Sequence, residues 1–268
     1  MKVRLVLLAC AVVCLRAEGP RAIPAPFYTP SSIVNAASFK AGALAPNTIG
    51  TLYGRDLAFT TRAVSNEDLY NGTLPTTLLG TGVRLLVGGN LAFLYYVSPT
   101  QINFLIPPNL PPGPRQIQLV LDGRAAESVR VELAAVSPAL FALDPETALA
   151  TRVDGRVITA ERPATPSEIV ILYATGLGET RPKFAAGQMP NAAAWIERRA
   201  DFQVTLNGEP VDRAAILYAG VAPGFAGLYQ VNLKLPDTAP ANPEIRIGFG
   251  GENASPTGVR LPIRASNP

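Results

Sequence analysis

PNTIGTLYGRDL at residues 46–57 and PSEIVILYATGL at residues 166–177 are two copies of one pattern, P-x-x-I-x-x-L-Y-x-x-x-L. A second matching pair follows in each half, QINFLIP at residues 101–107 and QVNLKLP at residues 230–236. The segments occur in the same order and at similar spacing. Self-similarity of this kind indicates a duplicated structural unit, so the sequence predicts two copies of one fold.

Each copy is predicted to consist of β-hairpins. Segments of five to eight residues rich in Val, Ile, Leu and Tyr flank turn residues such as Asn-Gly and Gly-Gly, which supply the positive φ angles of tight turns. The predicted hairpins pair residues 83–87 with 91–97, 116–121 with 128–133, 202–206 with 211–218, and 244–249 with 258–263. Short strands with closely spaced turn signals are typical of a β-sandwich.

We therefore predict an all-β chain with two tandem immunoglobulin-like β-sandwich domains, at residues 40–134 and 165–268. The proline-rich residues 18–39 are predicted to form an extended N-terminal segment. Residues 135–164 are predicted to be a connector that contains a small hairpin and packs against one or both domains. Residues 191–199 are expected to form either one short helix or an alanine-rich loop.

The N-terminus has the pattern of a secretory signal peptide, at residues 1–17. Lys2 and Arg4 precede an unbroken apolar run at residues 5–15, which is too short to span a membrane as a helix. Cleavage is expected after Ala17. Since no later stretch is long and apolar enough for a membrane helix, the sequence predicts a secreted, periplasmic or cell-surface protein with no membrane span in the mature chain.

Both cysteines, Cys10 and Cys14, fall inside this leader. The mature chain is therefore predicted to have no disulfide and no thiolate for catalysis or metal binding. A lipid anchor through one of the two cysteines is a weaker alternative to cleavage after Ala17, because the apolar run before Cys10 is very short.

The net charge of +3 also comes from the leader. Removing Lys2, Arg4 and Arg16 from the 23 basic residues leaves as many as the 20 acidic ones. A neutral mature chain gives no electrostatic reason to expect nucleic acid or an anionic membrane as a partner.

The chain contains no histidine, which excludes Ser-His-Asp and Cys-His mechanisms and imidazole-bound metals. No Ser-x-x-Lys motif, Walker loop or dinucleotide fingerprint occurs. We therefore expect no enzyme, no cofactor and no metal site. The alternative of a hydrolase with an unorthodox site would need two facing carboxylates, taken from Glu67, Asp68, Asp144, Glu146 and Glu161.

Two amide pairs, Gln101 with Asn103 and Gln230 with Asn232, are the sharpest polar candidates for an interface or ligand site. Residues two apart on a strand share a face, so the two amides of each pair are predicted to point the same way. One interpretation is a polar platform for a sugar or peptide. The other is that the amides satisfy polar groups of the fold, which their presence in both copies favours.

Trp195 is the single tryptophan and lies near Arg198 in an irregular insertion. An exposed tryptophan beside arginine is typical of recognition sites, so both residues are candidates for ligand contact. Alternatively, Trp195 plugs the end of the second sandwich. The strand tyrosines are expected to pack in the core or on sheet surfaces with their hydroxyls at the rim.

Six segments carry a resemblance to a known family: VNAASF at 34–39, LPTTLLG at 74–80, VSPTQINF at 97–104, SPALF at 137–141, YATGLG at 173–178 and GLYQVN at 227–232. Together they resemble the uncharacterised C-terminal domain of acidobacterial secreted proteins. Each half is also similar to immunoglobulin-like IPT/TIG domains, through YGRDL at 53–57 and YATGL at 173–177. The resemblance implies a sandwich fold with a structural or binding role and no catalysis, and it brings no functional residues.

These observations predict a non-catalytic extracytoplasmic protein that acts in binding, adhesion or scaffolding. Its expected partner is an unknown surface protein or glycan. Three alternatives stay open: a carbohydrate-binding module with solvent-facing aromatics, the unorthodox hydrolase, and a subunit of a larger envelope assembly.

Overall fold

The computed structural model describes residues 25–250 and 253–265. The predicted leader, with Cys10, Cys14 and the cleavage site after Ala17, lies outside these residues. The described part consists of β-strands, loops and three short 3-10 turns, at Pro30–Ser32, Asn66–Asp68 and Arg213–Ala215. The predicted all-β fold is confirmed. Within the same residues, no helix reaches the length and hydropathy that a membrane crossing requires.

The first half of the chain contributes ten strands. They are β1 (Ile33–Asn35), β2 (Ile49–Tyr53), β3 (Arg62–Ala63), β4 (Val83–Val87), β5 (Asn90–Leu91), β6 (Phe93–Val97), β7 (Gln101–Leu105), β8 (Gly113–Leu121), β9 (Arg124–Ala125) and β10 (Val129–Leu133). One sheet has the order β1-β2-β7-β6-β3, and the other has the order β10-β8-β4-β5, with β9 beside β8. All pairings are antiparallel.

The second half also contributes ten strands. They are β11 (Ala139–Leu140), β12 (Ala150–Arg152), β13 (Ile169–Thr175), β14 (Thr180–Arg181), β15 (Trp195–Ile196), β16 (Gln203–Leu206), β17 (Glu209–Pro210), β18 (Ile216–Val221), β19 (Tyr229–Lys234) and β20 (Ile245–Gly248). The larger sheet has the order β11-β13-β19-β18-β15-β14, with β12 also on β13, and the smaller has the order β17-β16-β20.

Each half has a core between its two sheets, which makes it an immunoglobulin-like β-sandwich. In the first half, Leu52 and Phe104 from one sheet share a buried cluster with Leu85 from the other. In the second half, Leu172 from the large sheet shares a separate cluster with Val204 from the small one. Buried residues alternate with more exposed ones along strands such as β4 and β13, so one face of each sheet is withdrawn from water.

The duplication extends to strand order and register. The order β1-β2-β7-β6 recurs as β11-β13-β19-β18, and β8-β4-β5 recurs as β20-β16-β17. Tyr53 lies opposite Gln101, as Tyr173 lies opposite Gln230. A register shift interrupts the pairing just before Tyr96 in β6 and just before Tyr218 in β18. The repeated sequence patterns therefore encode one fold twice.

The ends of each half are more structured than the sequence predicts. Of the segment predicted to be extended at residues 18–39, residues 18–24 lie outside the described residues, and the rest contains β1, which pairs with β2 and buries Ile33 and Val34. The connector at 135–164 supplies β11 and β12 to the large sheet and Ile158 to its core. The small hairpin around 154–155 forms, since Arg152 N–H donates to the carbonyl of Arg156. The domain limits at 40–134 and 165–268 stay predictions.

The structure corrects the predicted second strand in three of the four hairpins. The β4–β5 and β16–β17 hairpins form, but β6 and β18 cross to the opposite sheet, where they pair with β7 and β19. The segment at 258–263 forms only isolated bridges beside β20 instead of a regular strand. Neither a helix nor a plain loop occupies 191–199, because Trp195–Ile196 is the short strand β15, paired with β18 and β14.

The two halves are joined by a third apolar cluster. Leu74 and Leu105 of the first half meet Ala226 of the second, with Phe93 and Tyr95 packed against them. Polar contacts accompany this cluster. The Tyr95 hydroxyl donates to the carbonyl of Ala226, and the buried Thr175 hydroxyl accepts from Ile49 N–H at 3.0 Å and donates to the carbonyl of Gly227 at 2.8 Å. The contact is thus both apolar and hydrogen-bonded.

Candidate functional site

The outer face of the large sheet in the second half carries both the Gln230/Asn232 pair and Trp195. Along β19, Val231 and Leu233 are buried in the core, whereas Gln230 and Asn232 are half-buried and point outward. Because side chains alternate along a strand, the amides share the face opposite the core.

Four directly opposed residues on neighbouring strands form a row across this face. Tyr173 of β13 lies opposite Gln230 of β19, Gln230 lies opposite Gly220 of β18, and Gly220 lies opposite Trp195 of β15. Directly opposed residues project to the same side of a sheet, and Trp195 lies two strands from Gln230, or roughly 10 Å. The structure thus brings together Trp195, Gln230 and Asn232, which the sequence places in separate segments.

Gly220 makes room for the aromatic part of this row. A Cβ atom built on Gly220 would lie 2.1 Å from the Ala194 carbonyl oxygen and 2.4 Å from the Tyr218 hydroxyl. Only glycine therefore allows the tyrosine to fold across the strand, where its ring packs against Trp195 at a centroid distance of 4.9 Å and a tilt of 60°.

Buried Tyr218, which lies over Gly220 on the same face, fixes the position of Trp195. The Tyr218 hydroxyl accepts from Ala194 N–H at 3.1 Å and donates to the carbonyl of Val221 at 2.9 Å. Burial raises the pKa of this hydroxyl, so it stays protonated and keeps its donor role. Trp195 itself is half-buried, which leaves part of its indole open to solvent.

The arginine that stacks on the indole is Arg199, while Arg198 stays a predicted ligand contact. The Arg199 guanidinium lies 4.6 Å from the centroid of the Trp195 ring, at cation–π distance. The Arg198 guanidinium instead lies 4.7 Å from the ring of Phe249 and 3.4 Å from the Asp201 carboxylate. The sequence does not show which of the two adjacent arginines contacts the Trp195 ring, because this depends on the backbone turns that follow β15.

Charged pairs border the row at the outer strand. The guanidinium of Arg181, which lies opposite Trp195, pairs with the Glu197 carboxylate. This hydrogen bond is the main reason why the pKa of Glu197 is lowered. A second pair, Lys183 with Glu179 at 2.6 Å, lies on the same side of the domain. The sequence assigns Tyr173 and Tyr218 only to packing within the sheets and carries no signal for Arg181.

The two amide pairs differ in their surroundings. Gln230 donates to the Asn232 side-chain oxygen at 3.3 Å, and Gln101 donates to that of Asn103 at 2.8 Å. Asn103 also accepts from the Thr51 hydroxyl at 3.1 Å, whereas Ile171, with no hydroxyl, lies opposite Asn232. The Asn103 side-chain oxygen therefore accepts two side-chain hydrogen bonds, and the described residues give the Asn232 oxygen one.

The first half has the equivalent Tyr53–Gln101 pair but no tryptophan at the equivalent place. Its outer strand β3 lies opposite Val97 and Tyr96 of β6 and carries Arg62 and Ala63, with no tryptophan. Farther along the same face, Phe93 and Leu105 pack into the cluster between the halves. Of the two copies, the second is therefore the one that places a tryptophan in the same row as its amide pair.

The carboxylates considered for hydrolysis are held by local contacts. Asp68 pairs with Arg62 at 2.6 Å and accepts from Ser65 N–H, and its pKa is lowered mainly by the Ser65 contacts. Hydrogen bonds, chiefly from Glu146 N–H, lower the pKa of Asp144, and the Thr159 hydroxyl lowers that of Glu161. In the part of the chain that the structure covers, no three His, Cys, Asp or Glu residues group as a metal site would require.

No family model matches the chain. No curated protein matches it either. Among solved structures, it is similar to the Bacteroides ovatus mixed-linkage glucan utilization protein SGBP-B, solved with a mixed-linkage heptasaccharide (14% identity, 84% of this chain and 44% of that chain, TM-score 0.33). It is also similar to the Escherichia coli adhesin FdeC, with 12% identity over 90% of this chain and 66% of that chain and a TM-score of 0.24. A third similar structure is the Yersinia pseudotuberculosis adhesin InvE, with 14% identity over 88% of this chain and 60% of that chain and a TM-score of 0.21.

The chain spans less than two thirds of the length of each of these three structures. Identities and TM-scores this low support no inference about a ligand, so function has to be argued from the site itself.

Proposed function

We propose that this protein binds an extended glycan, without catalysis, on the outer face of the large sheet in its second half. The observation that carries the proposal is the row Tyr173–Gln230–Gly220–Trp195. It combines an aromatic ring with amide donors and acceptors on the outer face of one sheet, where Tyr218 lies over Gly220 between them. A single chain of sugar rings could lie across the four strands that form this face.

The chemistry of the row suits sugars better than charged or purely apolar ligands. An indole ring offers an apolar face to the C–H groups of a pyranose, while its N–H remains a donor. Gln230 and Asn232 supply donors and acceptors for hydroxyl groups at a distance of about two strand spacings from Trp195. Tyr218 holds the indole before any ligand arrives, which lowers the entropic cost of binding.

Arg199 has a place in this proposal. Its exposed guanidinium contacts the Trp195 ring, so a sugar that stacks on the same ring displaces it or shares the ring with it. A displaced arginine remains close enough to donate hydrogen bonds to ring or hydroxyl oxygens of the ligand.

We also propose that the protein acts outside the cytoplasm, in binding or adhesion. The basic and apolar pattern of residues 1–17 supports export. The six matching segments support membership of the acidobacterial secreted family and of the IPT/TIG class.

The acidic groups support binding rather than hydrolysis. A glycosidase needs one carboxyl group with a raised pKa as its general acid. Among the described residues, every carboxyl group with a shifted pKa is shifted downward, in each case first through a hydrogen bond that favours the charged form; these are Asp68, Asp144, Asp154, Glu161 and Glu197.

A polysaccharide array tests the proposal. The wild-type protein is expected to bind at least one neutral polysaccharide, and Trp195→Ala is expected to weaken that binding at least about tenfold, since stacked aromatics are typical binding hot spots. Tyr70→Ala, which removes a highly exposed tyrosine outside the sheets, is the matched control and should bind like wild type. Circular dichroism checks that each variant is folded. Failure of wild type to bind any polysaccharide, or equal binding by Trp195→Ala, would overturn the proposal.

A further inference from the structure

A second candidate ligand site lies in a cleft on another part of the molecule, away from the Trp195 row. The turn at residues 37–40 of the first half forms one wall. Residues 140–145, which follow β11, and residues 255–259 form the others. The cleft has a volume of about 510 Å³, within the range of cavities that hold small organic ligands. Two segments noted in the sequence, VNAASF and SPALF, meet here and are not used by the glycan face.

The walls of the cleft are mainly apolar. Ala37, Leu140, Ala142 and Val259 line it together with the flat rings of Pro145 and Pro256. Phe39 and Leu143 also line it, and they are 64% and 45% exposed. Large apolar side chains that stay exposed at the edge of a concave surface are typical of a site that a ligand covers.

Phe39 is held at the cleft in an unfavourable backbone conformation. Its φ is +55°, a region that bulky residues rarely adopt. Three hydrogen bonds maintain the turn: Phe39 N–H to the Asn35 carbonyl at 2.9 Å, Asn35 N–H to the Lys40 carbonyl at 3.1 Å, and Ala37 N–H to the Asn35 side-chain oxygen at 2.9 Å. An exposed phenyl group kept in such a turn needs an explanation beyond folding.

The cleft is preformed because its walls are tied together. The buried Asn35 side chain donates to the Ser137 carbonyl at 3.1 Å, and the Ser137 hydroxyl donates to the Ala43 carbonyl at 2.8 Å. These bonds join the turn of the first half to the residues before β11. A smaller cavity of about 350 Å³ shares Ser38, Lys40 and Pro256 with the cleft and extends it.

Charge at the rim selects the kind of ligand. Within the residues that the structure covers, the Lys40 ammonium group has no ion-pair or hydrogen-bond partner. The Asp144 carboxylate also lines the cleft, but its Oδ1 atom already accepts from Glu146 N–H at 3.0 Å and Thr147 N–H at 2.9 Å. One free cation favours one anionic group, and the nearby carboxylate disfavours a second.

We propose that this cleft binds a planar aromatic monoanion, such as an aromatic monocarboxylate. Its ring packs between Phe39 and the proline faces, and its anionic group pairs with Lys40. This site is independent of the glycan face and uses none of its residues.

Fluorescence titration with 8-anilinonaphthalene-1-sulfonate, an aromatic monoanion, tests the proposal. Wild type is expected to show saturable one-site binding that cinnamate competes away and that the neutral cinnamyl alcohol competes away more weakly. Phe39→Asn and Lys40→Gln are each expected to weaken binding at least about fivefold, the loss of roughly one good contact. Asn tolerates the positive φ at position 39, so this variant removes the ring without breaking the turn.

Two matched variants serve as controls. Phe59→Asn removes a phenylalanine that is 53% exposed and lies outside the cleft, and Lys234→Gln removes a lysine of β19. Both should bind the dye like wild type. Because the dye also binds loosened proteins, near-ultraviolet circular dichroism must show native packing in each sample. Non-saturable dye binding by wild type, or equal affinity in Phe39→Asn and Lys40→Gln, would overturn the proposal.

Discussion

Single residues decide how closely neighbouring backbone segments approach each other. Gly176 has a φ of +77°, and a Cβ built on it would lie 2.0 Å from the Ser137 carbonyl oxygen and 3.2 Å from the Thr48 hydroxyl oxygen. The backbone of the second half therefore lies directly against Ser137 and a residue of the first half. No side chain other than hydrogen fits there.

Replacing Gly176 by alanine is expected to destabilise the protein by at least about 3 kcal/mol, the cost of a positive φ plus a clash with fixed backbone. Gly155→Ala is the control, because Gly155 has a φ of +85° with nothing within 4 Å of the added carbon. That variant carries only the conformational cost of about 1 kcal/mol. Urea unfolding measures both, and equal losses would contradict the close approach at Gly176.

Buried tyrosines make stability depend on alkaline pH. Burial raises the pKa of Tyr95 and of Tyr229 above the ordinary value of 10.0, while the unfolded chain keeps the ordinary value. Above pH 10 the unfolded state loses these protons and the folded state keeps them. The stabilisation is therefore complete below pH 10 and falls by about 1.4 kcal/mol per pH unit for each such tyrosine above it.

Urea unfolding at pH 9 and pH 11 should show this effect. Wild type is expected to lose more stability between the two values than Tyr95→Phe, because the variant lacks one of the titrating groups. At pH 9 the variant should be less stable than wild type by about 1 kcal/mol, since it lacks the hydrogen bond to Ala226. Tyr70→Phe, which alters an exposed tyrosine, serves as the control. An identical pH slope in wild type and Tyr95→Phe would contradict the prediction.

At the scale of elements, the connector behaves as part of the second sandwich. β11 and β12 both pair with β13, and Ile158, which follows β12, is fully buried in the second core. Apolar residues in this segment were visible in the sequence, but the strands they form are two and three residues long. Such short strands acquire their structure from the neighbour they pair with, which periodicity cannot reveal.

Ile158→Ala is expected to cost about 3 kcal/mol, the usual loss for removing a buried isoleucine side chain. Val153→Ala, in the same hairpin but 70% exposed, should cost less than about 0.5 kcal/mol. Chemical denaturation of the two variants provides the comparison. A small loss for Ile158→Ala would show that the connector is loosely attached.

The elements also show what the sequence could and could not predict. The turns at Asp122-Gly123 and Asn207-Gly208 have the positive φ angles expected of them, because turn chemistry is local. Which sheet β6 and β18 join is not local, so the hairpins that included them were wrong. Alternation along β19 placed Gln230 and Asn232 on one face, but only the pairing of β15 with β18 brings Trp195 there.

At the scale of the whole molecule, the two sandwiches are coupled. The cluster of Leu74, Leu105 and Ala226 and the hydrogen bonds of Thr175 and Tyr95 join cores that are otherwise separate. Calorimetry of the wild-type protein is expected to show a single unfolding transition, because neither half can unfold without exposing this apolar contact. Leu74→Ser should separate it into two transitions. Two well-resolved transitions in wild type would contradict the coupling.

Duplication gave the molecule two equivalent amide pairs, and the one at Gln230 and Asn232 is the pair that we propose binds glycan. Gln230 lies in a row with Trp195, whereas Gln101 lies opposite Tyr53 on a face whose outer strand β3 carries no tryptophan. The most direct test is calorimetric titration of Gln230→Ala and Gln101→Ala with the polysaccharide that wild type binds most strongly. We expect Gln230→Ala to bind at least about fivefold more weakly, as loss of one good hydrogen bond implies, and Gln101→Ala to bind like wild type. Equal affinity in the two variants would contradict the account.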